Sequence, residues 1–169
     1  MGLEKFTIGR GPESVKATLL YMKQMVLKSD SDRIVKSTAH EIIRNIYPGD
    51  HLQQVKAITG WVRRKLHYVR DIYGVEEVTN PATMLHNISK GLLSHSSDCD
   101  DYAVLLSALL RSVGFPTRLE ALAVNGARYD HARVSAYVLG KWLPIEGTKN
   151  ALEVGVGLPS KLPVMAVEV

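Results

Sequence analysis

The chain has 169 residues, 46% of them hydrophobic and 22% charged, so it can bury enough apolar surface to fold as one domain over 1–169, and the disordered class is excluded. Lys and Arg total 21 against 17 for Asp and Glu; the formal net charge of +4 allows an acidic partner but falls short of a nucleic-acid footprint, and no specific nucleic-acid partner is expected. One cysteine cannot make an internal disulfide or a multi-thiolate zinc site, and no apolar run approaches the roughly 20 residues that cross a bilayer, so the expectation is a soluble, cytoplasmic protein with no membrane partner.

In chain order, Met1 to Phe6 has neither a signal-peptide core nor the Ser or Thr at position 6 that myristoylation expects. Ser14 is placed to cap a helix from about Val15 to Lys28, with Leu19, Leu20, Met22, Met25 and Val26 as its apolar stripe. The two methionines read as core, because methionine fills gaps between helices. Ser31 or Asp32 starts a second helix carrying Ile34, Val35, Ile42, Ile43 and Ile46, which Pro48-Gly49 stops. Asp50 and Gln53 resemble a capping box for a third helix, Leu52 to Leu66, with Gly60 in its interior. Arg63-Arg64-Lys65 beside Trp61 reads as a solvated face. The N-terminal part, 13–67, is therefore expected to be helical.

From Tyr68 to Pro81 the pattern predicts an extended segment and loops, then a short helical turn near Met84 and Leu85. Ser96 to Asp101 is polar, and Tyr102 to Leu110 predicts a central apolar helix ended by Gly114-Phe115-Pro116. Strands are predicted at Arg118 to Val124, His131 to Leu139 and Trp142 to Ile145, with hairpin turns at Asn125-Gly126 and Leu139-Gly140-Lys141. A final strand is ambiguous in the last twenty residues, which contain Pro159 and Pro163. Helices followed by an antiparallel sheet make an α+β pattern.

Cys99 falls at the start of the central helix, where unpaired N–H groups and the helix dipole favour a thiolate. Asp98, Asp100 and Asp101 would oppose this if they faced the sulfur. Asp100 or Asp101 could instead bond helical N–H groups or an arginine. His131 opens one strand and Glu146 ends the next, so adjacent strands could present a base and an orienting carboxylate to the helix start. Asp130 is the alternative orienting residue, although a neighbour of His131 on an extended strand points to the opposite face. A zinc reading through His95, Cys99 and His131 rests on weak spacing, and Asp98 to Asp101 lacks the pattern of a calcium loop.

Ser97-Asp98-Cys99-Asp100-Asp101-Tyr102-Ala103, continuing through Leu109 to Arg118, resembles the nucleophile helix and the Gly-x-Pro-x-Arg turn of the transglutaminase-like cysteine peptidase superfamily. His131-Ala132 and Trp142-Leu143-Pro144-Ile145-Glu146 resemble its histidine strand and its Trp-x-x-x-Asp strand. Ile58 to Tyr68, Asp71 and Pro81 are similar to the segment before the nucleophile, so the resemblance covers about Val55 to Thr148. It implies a papain-like, transglutaminase-like core over about 55–148, with Cys99 as nucleophile, His131 as general base and acid, and Glu146 as the orienting residue, usually aspartate. Ser97 stands where glycine is frequent, Arg133 where many members have an aromatic, and Ser135 where an acidic residue is frequent.

The implied reaction is cysteine-dependent amide-bond hydrolysis, as a protease, amidase or isopeptidase, or transfer of the acyl group to an amine. No cofactor or metal is implied, and the expected substrate is a protein or peptide. Similar compact chains occur in bacteriophages and prophages, sometimes beside structural genes, which adds a phage structural protein as an expected partner and a virion-associated location. The competing expectation is an inactive structural or protein-binding module, with Cys99 and His131 as structural residues and Trp61 or Arg63, Arg64 and Lys65 exposed to a partner. The sequence leaves oligomeric state, substrate identity and the choice between hydrolysis and transfer open.

Overall fold

The computed structural model describes residues 5–6, 11–69, 76–92, 96–148 and 151–169. Helix α1 (Pro12–Ser29) begins two residues before the expected Ser14 cap. Pro12 lies in its first turn, where the missing N–H costs nothing, and Ser14 instead donates its own N–H to Gly11 O at 3.0 Å. Leu19, Met22, Met25 and Val26 are buried along one face, as their spacing predicts. Helix α2 (Arg33–Ile43) is capped by the Asp32 side chain, which accepts from Ile34 N, and stops short of Ile46 in a turn. Helix α3 (His51–Lys65) is capped by Asp50, which accepts from Gln53 N at 3.1 Å. Only half of the capping box forms, because the Asp50 N–H donates to Tyr47 O.

Strands β2 (His67–Tyr68) and β4 (Ser96–Ser97) form a short parallel pair, and β1 (Lys5–Phe6) pairs antiparallel with β3 (Glu76–Glu77). Between them, helix α4 (Pro81–Ser89) is longer than the single turn expected, since Asn80 caps it at Ala82 N and Pro81 occupies its first turn. Asp71 and His95 lie outside the described residues.

Helix α5 (Cys99–Ser112) is the hub. Every residue from Asp100 to Leu110 is buried, because α1 to α4 surround it on one side and a sheet covers the other. Among the described residues, no helix is long and apolar enough to cross a membrane. The sheet is antiparallel throughout, in the order β7 (Lys141–Ile145), β6 (His131–Val138), β5 (Thr117–Leu122), β8 (Met165–Glu168). The ambiguous C-terminal strand thus closes the β5 edge.

Leu139 and Gly140 both have positive φ, at 50° and 82°, as a two-residue hairpin requires. Asn125-Gly126 does not make a comparably tight turn. Asp130 organises the wider connection: its carboxylate accepts from Val124 N, Asn125 N and Asn125 Nδ2 at 2.7 to 3.1 Å.

Strand alternation gives the sheet two unlike faces. Leu119 aligns with Val134 and Ile145, and Ala121 with Ala132, all within the apolar core. The other face pairs Arg118 with Ser135, Glu120 with Arg133, and Leu122 with His131. Leu109→Ala, which empties a fully buried site in α5, is expected to cost about 2–5 kcal/mol in chemical denaturation.

Candidate active site

Cys99 is the first residue of α5 and is half-buried. Asp98 caps that helix, its Oδ1 accepting from Asp100 N at 3.0 Å and Asp101 N at 3.2 Å. The helix-end donors expected to favour a thiolate are therefore partly committed to a carboxylate. Asp101 turns away and accepts from Thr79 N at 2.8 Å. Asp100 faces the sulfur, with its Oδ1 3.7 Å from Sγ as the thiol's acceptor. Burial and the charges of Asp100 and Asp98 push the Cys99 thiol well above its ordinary range, against the pull of the Ala132 N–H that donates to the sulfur. The carboxylates beside the sulfur work against the activation expected from its place in the helix alone.

The Ala132 contact places the strand position after His131 against the sulfur. His131 itself is held from its other side: Nε2 lies 2.6 Å from Glu146 Oε2. With Glu146 ionised, Nε2–H donates, and Nδ1 is left to accept a proton. No hydrogen bond between Cys99 and His131 is present among the described residues. Glu146 follows β7 directly and is fully buried, where a glutamate at a strand end would ordinarily meet solvent. Its Oε1 accepts from Leu158 N at 2.8 Å and Arg133 Nη1 at 3.1 Å. Burial alone would raise this carboxyl, but the bonds from His131, Leu158 and Arg133 outweigh it and hold Glu146 below its ordinary 4.5. Asp130, the other orienting candidate, is spent on its own connection.

Three contributors escape a reading of the sequence. Arg63, read as part of a solvated face, turns inward: its Nη2 donates to Glu146 O at 2.6 Å and Leu152 O at 2.9 Å. Arg64 and Lys65 are exposed, whereas Trp61 is half-buried with the Lys65 ammonium 5.9 Å from its ring centroid. Glu120, fully buried, accepts from Arg133 Nε at 2.6 Å and Ser135 Oγ at 2.9 Å. The segment 151–163 closes over this polar face, tied down by Gly155 N to Pro144 O and Lys161 N to Ala123 O. Strand alternation at Arg118, Glu120, Arg133 and Ser135 is the signal that could have revealed the buried polar face; the closing segment has no periodic signal. A cavity of about 540 Å³ beside α2, lined by Ser37, Thr38, Glu41, Ile42 and Trp61, includes none of Cys99, His131 or Glu146.

Residues 36–147 match the transglutaminase-like superfamily, and the chain belongs to that superfamily. The match begins within α2, earlier than the Val55 start expected from motifs. A candidate protease from Parabacteroides distasonis ATCC 8503 has the same fold, with a TM-score of 0.58 and 18% identity over 82% of this chain and 26% of its own. A candidate cysteine protease from Cytophaga hutchinsonii follows with a TM-score of 0.50 and 20% identity, over 80% of this chain and 50% of its own. LapG from Legionella pneumophila gives a TM-score of 0.51 and 16% identity, over 79% and 76% respectively. The chain thus spans about a quarter and a half of the first two relatives. No curated protein matches it.

Two measurements test these electrostatics. Because its pKa is raised, native Cys99 is expected to react with iodoacetamide at neutral pH more slowly than in urea, accelerating only above the ordinary thiol range; Asp100→Asn should speed the native reaction. Because the folded pKa of Glu146 is lowered, its stabilisation is complete above about pH 4.5 and is lost as pH falls through the folded value. Glu146→Gln should flatten that acid limb in melts recorded across pH and cost about 3–5 kcal/mol at neutral pH.

Proposed function

We propose that the protein is a cysteine-dependent amide-bond hydrolase or acyl transferase in which Cys99, His131 and Glu146 act together on a protein or peptide. The observation that carries this reading is the His131–Glu146 contact of 2.6 Å, built from a fully buried carboxylate, on a strand whose next N–H meets the only thiol. Family membership and the fold shared with candidate proteases support the same chemistry.

Nδ1 of His131 takes the Cys99 proton as the sulfur attacks the carbonyl carbon, and the C=O electrons move onto oxygen. The N–H of Cys99, at the helix start, is a candidate donor to that oxyanion. Collapse of the intermediate breaks the C–N bond, and His131 returns its proton to the leaving amine. Glu146 keeps the imidazole in the required tautomer and stabilises its charged form. A water then supplies OH to the acyl carbon and a proton to sulfur, or an amine takes the acyl group instead.

The test incubates the parent with fluorescently labelled casein, and separately with casein and a fluorescent primary amine, beside Cys99→Ala and His131→Ala. Cleavage or amine incorporation is expected in the parent, lost in Cys99→Ala and about 10²- to 10⁴-fold slower in His131→Ala. Turnover that survives Cys99→Ala would overturn the proposal. Absence of both reactions across a wider panel of peptides would favour the binding module, for which the Cys99–Asp100 contact is the favourable observation.

A further inference from the structure

We infer that Arg133, with Glu120 as its buried counterion, is a positioning residue that holds the Glu146 side chain against the His131 ring. This rests on the proposed role of Glu146 and His131 in the reaction above. Arg133 stands two residues beyond His131 on β6, so its side chain leaves the same face of the strand. Its guanidinium is used as a fork. Nε meets Glu120 Oε2 at 2.6 Å, while Nη1 reaches Glu146 Oε1 at 3.1 Å and Leu158 O at 3.2 Å. Glu120 lies directly opposite Arg133 in the β5–β6 register and is held in turn by Arg118 Nε and Ser135 Oγ.

The bridge answers a specific need. Glutamate has one more rotatable bond than aspartate, and a single bond to imidazole leaves the far oxygen able to swing. Here one oxygen is assigned to His131 and the other to Arg133 and Leu158 N. Both carboxylates are fully buried, so each requires a fixed partner, and a planar guanidinium offers Nε to one and Nη1 to the other in a fixed fork that an ammonium lacks. The chain closes tightly over this fork: a Cβ on Gly157 would lie 2.2 Å from Arg133 Nη1, so a side chain there would have to displace the guanidinium. Charged groups facing Glu146 are His131 and Arg133 from β6 and, through its main-chain oxygen, Arg63 from α3.

The experiment follows the Glu146 carboxyl carbon and the His131 ring nitrogens by NMR across pH in protein labelled with 13C at glutamate and 15N at histidine. The parent is compared with Arg133→Gln and Arg133→Lys, with Glu146→Gln to assign the signal. In Arg133→Gln the Glu146 titration midpoint is expected to rise by about 1 unit or more and the His131 Nε2 signal to move. Arg133→Lys keeps the charge but loses the fixed fork, so a smaller rise and the same movement are expected; it decides the matter if the glutamine variant does not fold. Parent-like Glu146 and His131 signals in a folded variant would overturn the inference. The casein assay runs in parallel on the same proteins. Inactivity of the parent would defeat the proposed reaction while the NMR titration still decides the role of Arg133.

Discussion

Burial of the Glu146 carboxylate is the constraint on which the rest of the site depends. A lone ionised carboxylate in a dry interior costs several kcal/mol, so the surrounding structure must supply donors to both of its oxygens. The donors come from three parts of the chain. His131 and Arg133 reach it from β6, Leu158 from the closing segment, and Arg63 secures its main-chain oxygen from α3. One residue thereby couples the helical layer, the sheet and the C-terminal segment.

That coupling explains why the two faces of the sheet differ. The face toward α5 is apolar and carries the packing, with Leu119, Val134 and Ile145 in line. The opposite face carries charge, but segment 151–163 keeps water from much of it, so Glu120 and Ser135 are as buried as the core leucines. A buried polar network of this kind is tolerable only when each member is satisfied, and Arg133 satisfies two carboxylates at once.

The same economy shapes the cysteine. A helix start is an electropositive place, but Asp98 already draws on its N–H groups as the cap, and Asp100 accepts from the thiol. The helix start is thus held by its own carboxylates, which oppose the pull of the dipole on the sulfur. Within the proposed reaction, deprotonation belongs to the moment of attack, when imidazole can take the proton.

Local chemistry made much of the fold legible in advance. Asp32 and Asp50 announce their helices, Leu139-Gly140 a tight hairpin, and the apolar run from Tyr102 to Leu110 a central helix, because each depends on residues close in sequence. The motif around Cys99, His131 and Glu146 marked the candidate site, and the structure joins the last two directly. What the sequence could not express is the direction of a side chain whose partner is distant. Arg63 belongs to a run of cations that looks solvated, yet its acceptors lie 83 and 89 residues away. Asp100 and Asp101 are adjacent, yet one meets the thiol and the other a remote backbone N–H. Composition and periodicity determined which elements form. Only tertiary packing decided which charges are buried together, because the cost of burying a charge is set by the partners that folding brings to it.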